Sequence, residues 1–121
     1  MKNITVNGIP YVIKFNTKAI MAMGAKGVNL GSIGEKVEQN DFSDFYVAFH
    51  EGLKFAHKDI TFDEALELLD AIFEDDGDIT ELFLVVMEEM ATAMGLGKAY
   101  KAEVQKQQKE LEKKAKKAKK A

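Results

Sequence analysis

The chain has no cysteine, which excludes a disulfide framework and any thiolate site for catalysis or metal binding. It also has no apolar run close to the ~18 residues that a membrane-spanning helix needs. Its first six residues alternate polar and apolar side chains, unlike the apolar block of a signal peptide. These absences favour a cytoplasmic protein. The length of 121 residues suits a single modest core.

Arginine is absent as well, so lysine supplies every basic side chain. Lysine is a point charge on a flexible stem, and it cannot make the bidentate contacts that arginine makes with phosphate or guanine. The use of lysine alone is also what an A-rich coding sequence would give. It therefore suggests a low-GC bacterial or viral source.

The lysines are distributed unevenly along the chain. Residues 98–121 carry ten lysines and three glutamates, whereas residues 1–97 carry seven lysines and seventeen acidic residues. An acidic body of net charge −10 is thus followed by a basic tail of net charge +7. The basic composition of the tail is compatible with a solvated helix, a tether, a protein contact or a nucleic-acid contact. Nucleic acid is the least favoured of these, because it would need basic or aromatic support from the body, which is acidic.

Local patterns predict an α+β fold that is mainly α, with an N-terminal β-hairpin packed on a bundle of about four helices. Two alternating segments flank Asn7-Gly8, the dipeptide typical of a type I′ hairpin turn. Asn16 or Thr17 is expected to cap a short helix. Four glycines over residues 24–34 predict a mobile loop, and a turn or two of helix follows over residues 33–39.

Three longer helices are predicted after this loop. The first begins at Asp41 or Ser43 and carries aromatic side chains at helical spacing. The second begins at a capping box over residues 61–64 and ends near Gly77, where the third begins. Their short link predicts that the second and third are antiparallel neighbours. Residues 1–97 form the predicted domain, and residues 98–121 form a basic tail that is helical or partly disordered.

No residues form a recognisable catalytic, cofactor-binding or metal-binding set, so we expect neither an enzyme nor a cofactor. His50 and His57 are seven residues apart, whereas paired zinc-binding histidines are typically four apart. Residues 74–78 (EDDGD) look like part of a calcium loop, but the positions that would be first and last in that loop carry no carboxylate. Residues 24–34 lack the Gly-Lys-Ser/Thr of a phosphate-binding loop.

The order of these motifs resembles the tail assembly chaperones of long-tailed phages and prophages of low-GC Gram-positive bacteria. The resemblance covers roughly residues 2–94. It runs through the hairpin around Asn7-Gly8, the glycine-bearing segment 28–31 (VNLG), the aromatic helix, segment 60–65 (ITFDEA), an acidic glycine turn and segment 81–83 (ELF). The individual motifs are helix caps and core spacings, and it is their order that carries the resemblance.

The resemblance implies a non-catalytic protein of the host cytoplasm that is absent from the mature virion. Members of that family bind the tape measure protein, promote assembly of the tail tube protein around it and self-associate. A ribosomal frameshift commonly gives a longer product, and the Lys-Lys pairs at 113–114, 116–117 and 119–120 are candidate slippery codons. The alternative function is a small nucleic-acid-associated accessory protein that uses its lysine-rich tail.

A helical client would suit binding by a helix in a groove. Two segments are candidates for the partner surface: the aromatic helix and the methionine face of the last predicted helix. The same side chains at helical spacing also suit the hydrophobic core, and for the methionines the core is favoured. The candidate partner-binding residues are Phe45, Phe49, Phe55, Met87, Met90 and Met94.

Overall fold

A computed structural model describes residues 2–75, 77, 79–99 and 102 of the chain. Two strands, β1 (Lys2–Val6) and β2 (Ile9–Ile13), precede five helices. The helices are α1 (Thr17–Ala25), α2 (Leu30–Glu38), α3 (Ser43–Leu53), α4 (Phe62–Glu74) and α5 (Ile79–Ala93). The predicted fold class, mainly α with an N-terminal hairpin, is confirmed. The prediction for the basic tail lies almost wholly outside the described residues.

The hairpin forms as its sequence predicts. Asn7 and Gly8 have φ values of 53° and 78°, as both central positions of a type I′ turn require. Val6 pairs with Ile9 directly across the turn, and Pro10 lies opposite Thr5. Because pairs alternate along an antiparallel ladder, Pro10 falls where no ladder hydrogen bond is expected from its nitrogen.

Helix α3 is the centre of the packing. It contacts β2, α1, α2, α4 and α5, and its Phe45, Ala48, Phe49 and Leu53 are fully buried. Helices α4 and α5 both pack on α3, and they contact each other less than the short link between them predicts. The aromatic segment of the chain is therefore mainly core, because a helix covered on several sides needs apolar residues around most of its circumference.

The glycine-rich segment is more helical than its composition predicts. The structure extends α2 back to Leu30, so that only residues 26–29 link it to α1. Asn29 and Ser32 form a reciprocal capping box, and the Ser32 hydroxyl also donates to the Asp44 carboxylate at 2.8 Å. Lys36 donates to the other Asp44 oxygen at 2.9 Å. Bonds to a residue on the next helix thus offset the cost of two glycines within α2.

Three helices end in the same way. Gly27, Asn40 and Gly95 follow α1, α2 and α5 with φ values of 77°, 62° and 78°. After each of them, the next residue donates its N–H to a carbonyl in the last helical turn, at 2.7–2.9 Å. This is the Schellman motif, and it satisfies carbonyls that the end of a helix leaves without partners. The chain reversals after these helices are therefore set by local sequence.

The hairpin meets α3 at Gly52. The Lys14 N–H donates to the Gly52 carbonyl at 3.0 Å. A Cβ at position 52 would lie 2.8 Å from the Phe15 ring and 3.0 Å from an Ile13 methyl group. Because both side chains are buried, they have little room to move away. Only glycine allows this approach without displacing core side chains.

Replacing Gly52 with alanine is therefore expected to destabilise the protein. Overpacking of the core outweighs the gain in helix propensity, and the free energy of unfolding should fall by about 1–2 kcal/mol. Urea denaturation followed by circular dichroism measures the change. Gly24→Ala is the matched control. Gly24 lies in another helix, α1, and a Cβ added there would meet no atom within 4 Å. That control should raise the free energy of unfolding by about 0.5–1 kcal/mol. Equal effects of the two substitutions would contradict the role of Gly52.

Candidate functional site

The structure divides the six predicted partner-binding residues into two groups. Phe45, Phe49, Met87 and Met90 are core residues with at most 6% of their surface exposed. The burial of these four residues does not support a role in partner binding, because a domain of this size needs most of its large apolar side chains inside. Phe55 and Met94 are 42% and 43% exposed and stay available to a partner.

The two histidines have structural positions. His50 is buried, and its Nε2 lies 2.9 Å from the Ile60 carbonyl, to which its N–H donates. His57 packs against Tyr11, with ring centroids 5.2 Å apart. Among the described residues, no three histidine or acidic side chains form a group that could hold a metal ion. No helix in that part of the chain combines the length and hydropathy needed to cross a membrane.

Around Phe55 lies an open groove of about 500 Å³. It forms where the end of β2, the start of α1 and the end of α3 meet. Ala19, Ala22 and Phe55 give it an apolar floor, and we call it the lysine groove. Its rim carries Lys14, Lys18, Lys54, Lys58 and Asn16, and the buried Glu51 completes its lining.

Local structure places the lysines on this rim. Asn16 accepts the Ala19 N–H at 2.8 Å and so fixes the start of α1, which brings Lys18 to the groove. Lys14 directly follows β2, and its backbone N–H donates to the Gly52 carbonyl. Its ammonium lies 4.5 Å from the centre of the Phe55 ring. This is a cation–π contact, and it holds a basic side chain beside an exposed aromatic one.

Among the residues that the structure describes, Glu51 is the one acidic residue that lines the groove. Its side chain is only 6% exposed and bonds to Lys26 and Lys54, each at 3.1 Å. Desolvation raises the pKa of Glu51, but the hydrogen bonds and charges of the two lysines outweigh it, so the pKa lies below its ordinary value. Five of the seven body lysines therefore surround one carboxylate, which leaves this region with a net charge of +4.

Lowering the pH should weaken the fold through Glu51. Because its folded-state pKa lies below the ordinary 4.5, its contribution is complete above that pH and is lost as the pH falls through the folded pKa. Glu51→Gln should lower the free energy of unfolding at pH 7 by about 1 kcal/mol and flatten its decrease below pH 4.5. Urea denaturation from neutral to acid pH measures both. The control Glu35→Gln changes an exposed carboxylate by the same charge, and an equal effect there would contradict the role of Glu51.

A second groove of about 310 Å³ lies between the hairpin and the last two helices. Ile4, Ile72, Leu82 and Val85 line it, and we call it the apolar groove. Asn3, Thr5 and Glu81 form its polar rim, and Gly77 completes it. By the alternation of the ladder, the backbone groups of Asn3 and Thr5 face away from β2. An apolar lining with a few polar groups is the usual character of a ligand-binding pocket.

Sequence patterns did not predict either groove. The lysines of the first are spread over residues 14–58, so only folding brings them together. The second combines three residues of β1 with residues near α4 and α5, which lie far away along the chain. The only sequence signal for the first was the presence of Phe55 next to Lys54, which alone is too common to predict a site.

Comparison of the chain with protein-family models, with curated protein sequences and with solved structures gives no significant match.

Proposed function

We propose that this chain is a tail assembly chaperone of a long-tailed phage or prophage, which binds the tape measure protein and promotes assembly of the tail tube protein around it. The observation that carries the proposal is the order of the motifs from Ile4 to Phe83, which resembles that family. In this role the protein works without catalysis in the host cytoplasm, is absent from the mature virion and is made also as a longer frameshifted product.

The apolar groove suits the client of such a chaperone. A helix that presents one or two apolar side chains can place them between Ile72 and Val85, while polar groups of the rim contact its backbone or flanking residues. Binding there requires no opening of the core.

Co-expression with fragments of the tape measure protein from the same genome tests this proposal. The wild-type chain should keep a fragment in the soluble fraction and co-purify with it. A client that stays insoluble and forms no complex would contradict the chaperone function. So would a gene whose neighbours include neither a tape measure gene nor a tube gene.

The role of the apolar groove is tested by a charge placed on its floor. Val85→Glu should weaken binding of the tape measure fragment at least about tenfold, because a carboxylate there has to be desolvated by the client. Leu84→Glu is the matched control, since Leu84 is the adjacent residue on α5, is 37% exposed and does not line the groove. Isothermal titration calorimetry measures both affinities. Equal losses would show that the groove is not the client site.

The lysine groove gives specific support to a second candidate function, association with nucleic acid. Phe55 beside Lys14 and Lys54 offers an aromatic surface and basic side chains outside the tail. Binding of a single-stranded oligonucleotide should then fall steeply as salt is raised, because released counterions drive it. No binding of such a probe at low salt would exclude this function.

A further inference from the structure

Helix α4 carries a stripe of carboxylates along its exposed face. Asp63, Glu67, Asp70 and Glu74 are all exposed and are spaced by four, three and four residues, which places them on one side of the helix. We call them the acidic stripe. The helix contains no lysine, and within the described part of the chain none of the four forms an ion pair. From first to last they extend over about 16 Å.

The lysine groove has the opposite character. Lys18 and Lys58 are exposed and, within the described part of the chain, make no ion pair either. Because five body lysines gather here, only Lys2 and Lys36 remain to balance the other acidic residues of residues 1–97. The domain is therefore strongly polarised, with one basic groove on an otherwise acidic surface.

This polarisation favours a short acidic partner over a long polyanion. An extended nucleic acid would leave the groove within a few nucleotides and run onto acidic surface, where repulsion opposes binding. A helix with four carboxylates over three turns places its charge where the lysines are and extends little further. The groove lining also offers the apolar surface of Phe55 and two alanines to such a partner.

We propose that the lysine groove docks the acidic stripe of a second copy of this chain. The two contact surfaces differ, so the association is heterologous, and each copy that uses its groove keeps its own stripe free for another copy. Association by this contact forms rings or open chains of molecules. Since exposed charge pairs are screened by salt, the assembly weakens as ionic strength rises.

Two charge-reversal variants of the full chain test the contact. The groove variant carries Lys14→Glu, Lys18→Glu and Lys58→Glu, which leave the Glu51 ion pairs intact. The stripe variant carries Glu67→Lys, Asp70→Lys and Glu74→Lys. Sedimentation velocity at low salt should show that the wild type self-associates and that each variant alone does so at least about tenfold more weakly. An equimolar mixture of the two should associate again, because each groove then meets a stripe of opposite charge.

The tail supplies the matched control. Lys113→Glu, Lys114→Glu and Lys117→Glu change the net charge by the same amount as the groove variant but lie outside the domain. This tail variant should associate like the wild type. If it loses association while the groove variant keeps it, the basic partner of α4 is the tail and the proposal is wrong.

Further outcomes also test whether the lysine groove docks the acidic stripe. A wild-type chain that stays monomeric at low salt would overturn the proposal, and so would a mixture of the two variants that fails to associate although circular dichroism shows both folded. If either variant unfolds, Lys→Gln and Glu→Gln or Asp→Asn changes at the same positions take its place, each expected to weaken association. A monomeric wild type that binds a short oligo-dT through the groove lysines would assign the groove to nucleic acid instead.

Discussion

The close approach of the hairpin to α3 at Gly52 is the constraint on which the rest of the fold depends. It seats Ile13 and Phe15 in the core, and it sets the position of the chain where α1 begins. The start of α1 in turn brings Lys18 beside the residues that follow α3. Gly52, Ile13 and Phe15 do not line the lysine groove themselves. Their contact nevertheless determines the shape of this charged groove, because it positions the elements that carry the lysines.

The aromatic residues of α3 illustrate how a small domain distributes its apolar side chains. Phe45 and Phe49 are fully buried, and Phe55, just beyond the helix, is half exposed. The core takes the residues that face inward from the central helix, because hydrophobic burial has to offset the entropy of ordering the chain. The large side chains that remain exposed, such as Phe55, lie at the edges of elements. Both grooves accordingly lie where strands and helices meet, and neither lies on the face of one helix.

The sequence predicts those parts of the fold whose causes are local. The Asn7-Gly8 turn and the Thr61 capping box each depend on residues within four positions, and both form as expected. Helix α2 begins earlier than its glycine content predicts, because bonds to Asp44, twelve residues beyond Ser32, add to the local capping box of Asn29 and Ser32. The lysine groove could not be predicted for the same reason, since its residues converge only once the tertiary fold is formed.

The central position of α3 has a consequence for the order in which the chain can fold during translation. Phe45 packs against Phe83, with ring centroids 5.5 Å apart, although the two lie 38 positions apart along the chain. At roughly 5–20 residues per second, a ribosome needs about 2–8 s to make that stretch. During this interval the most aromatic helix is exposed without its last covering helix. Until residues 79–93 have been made, the apolar residues of α3 that pack on α5 have no intramolecular partner there.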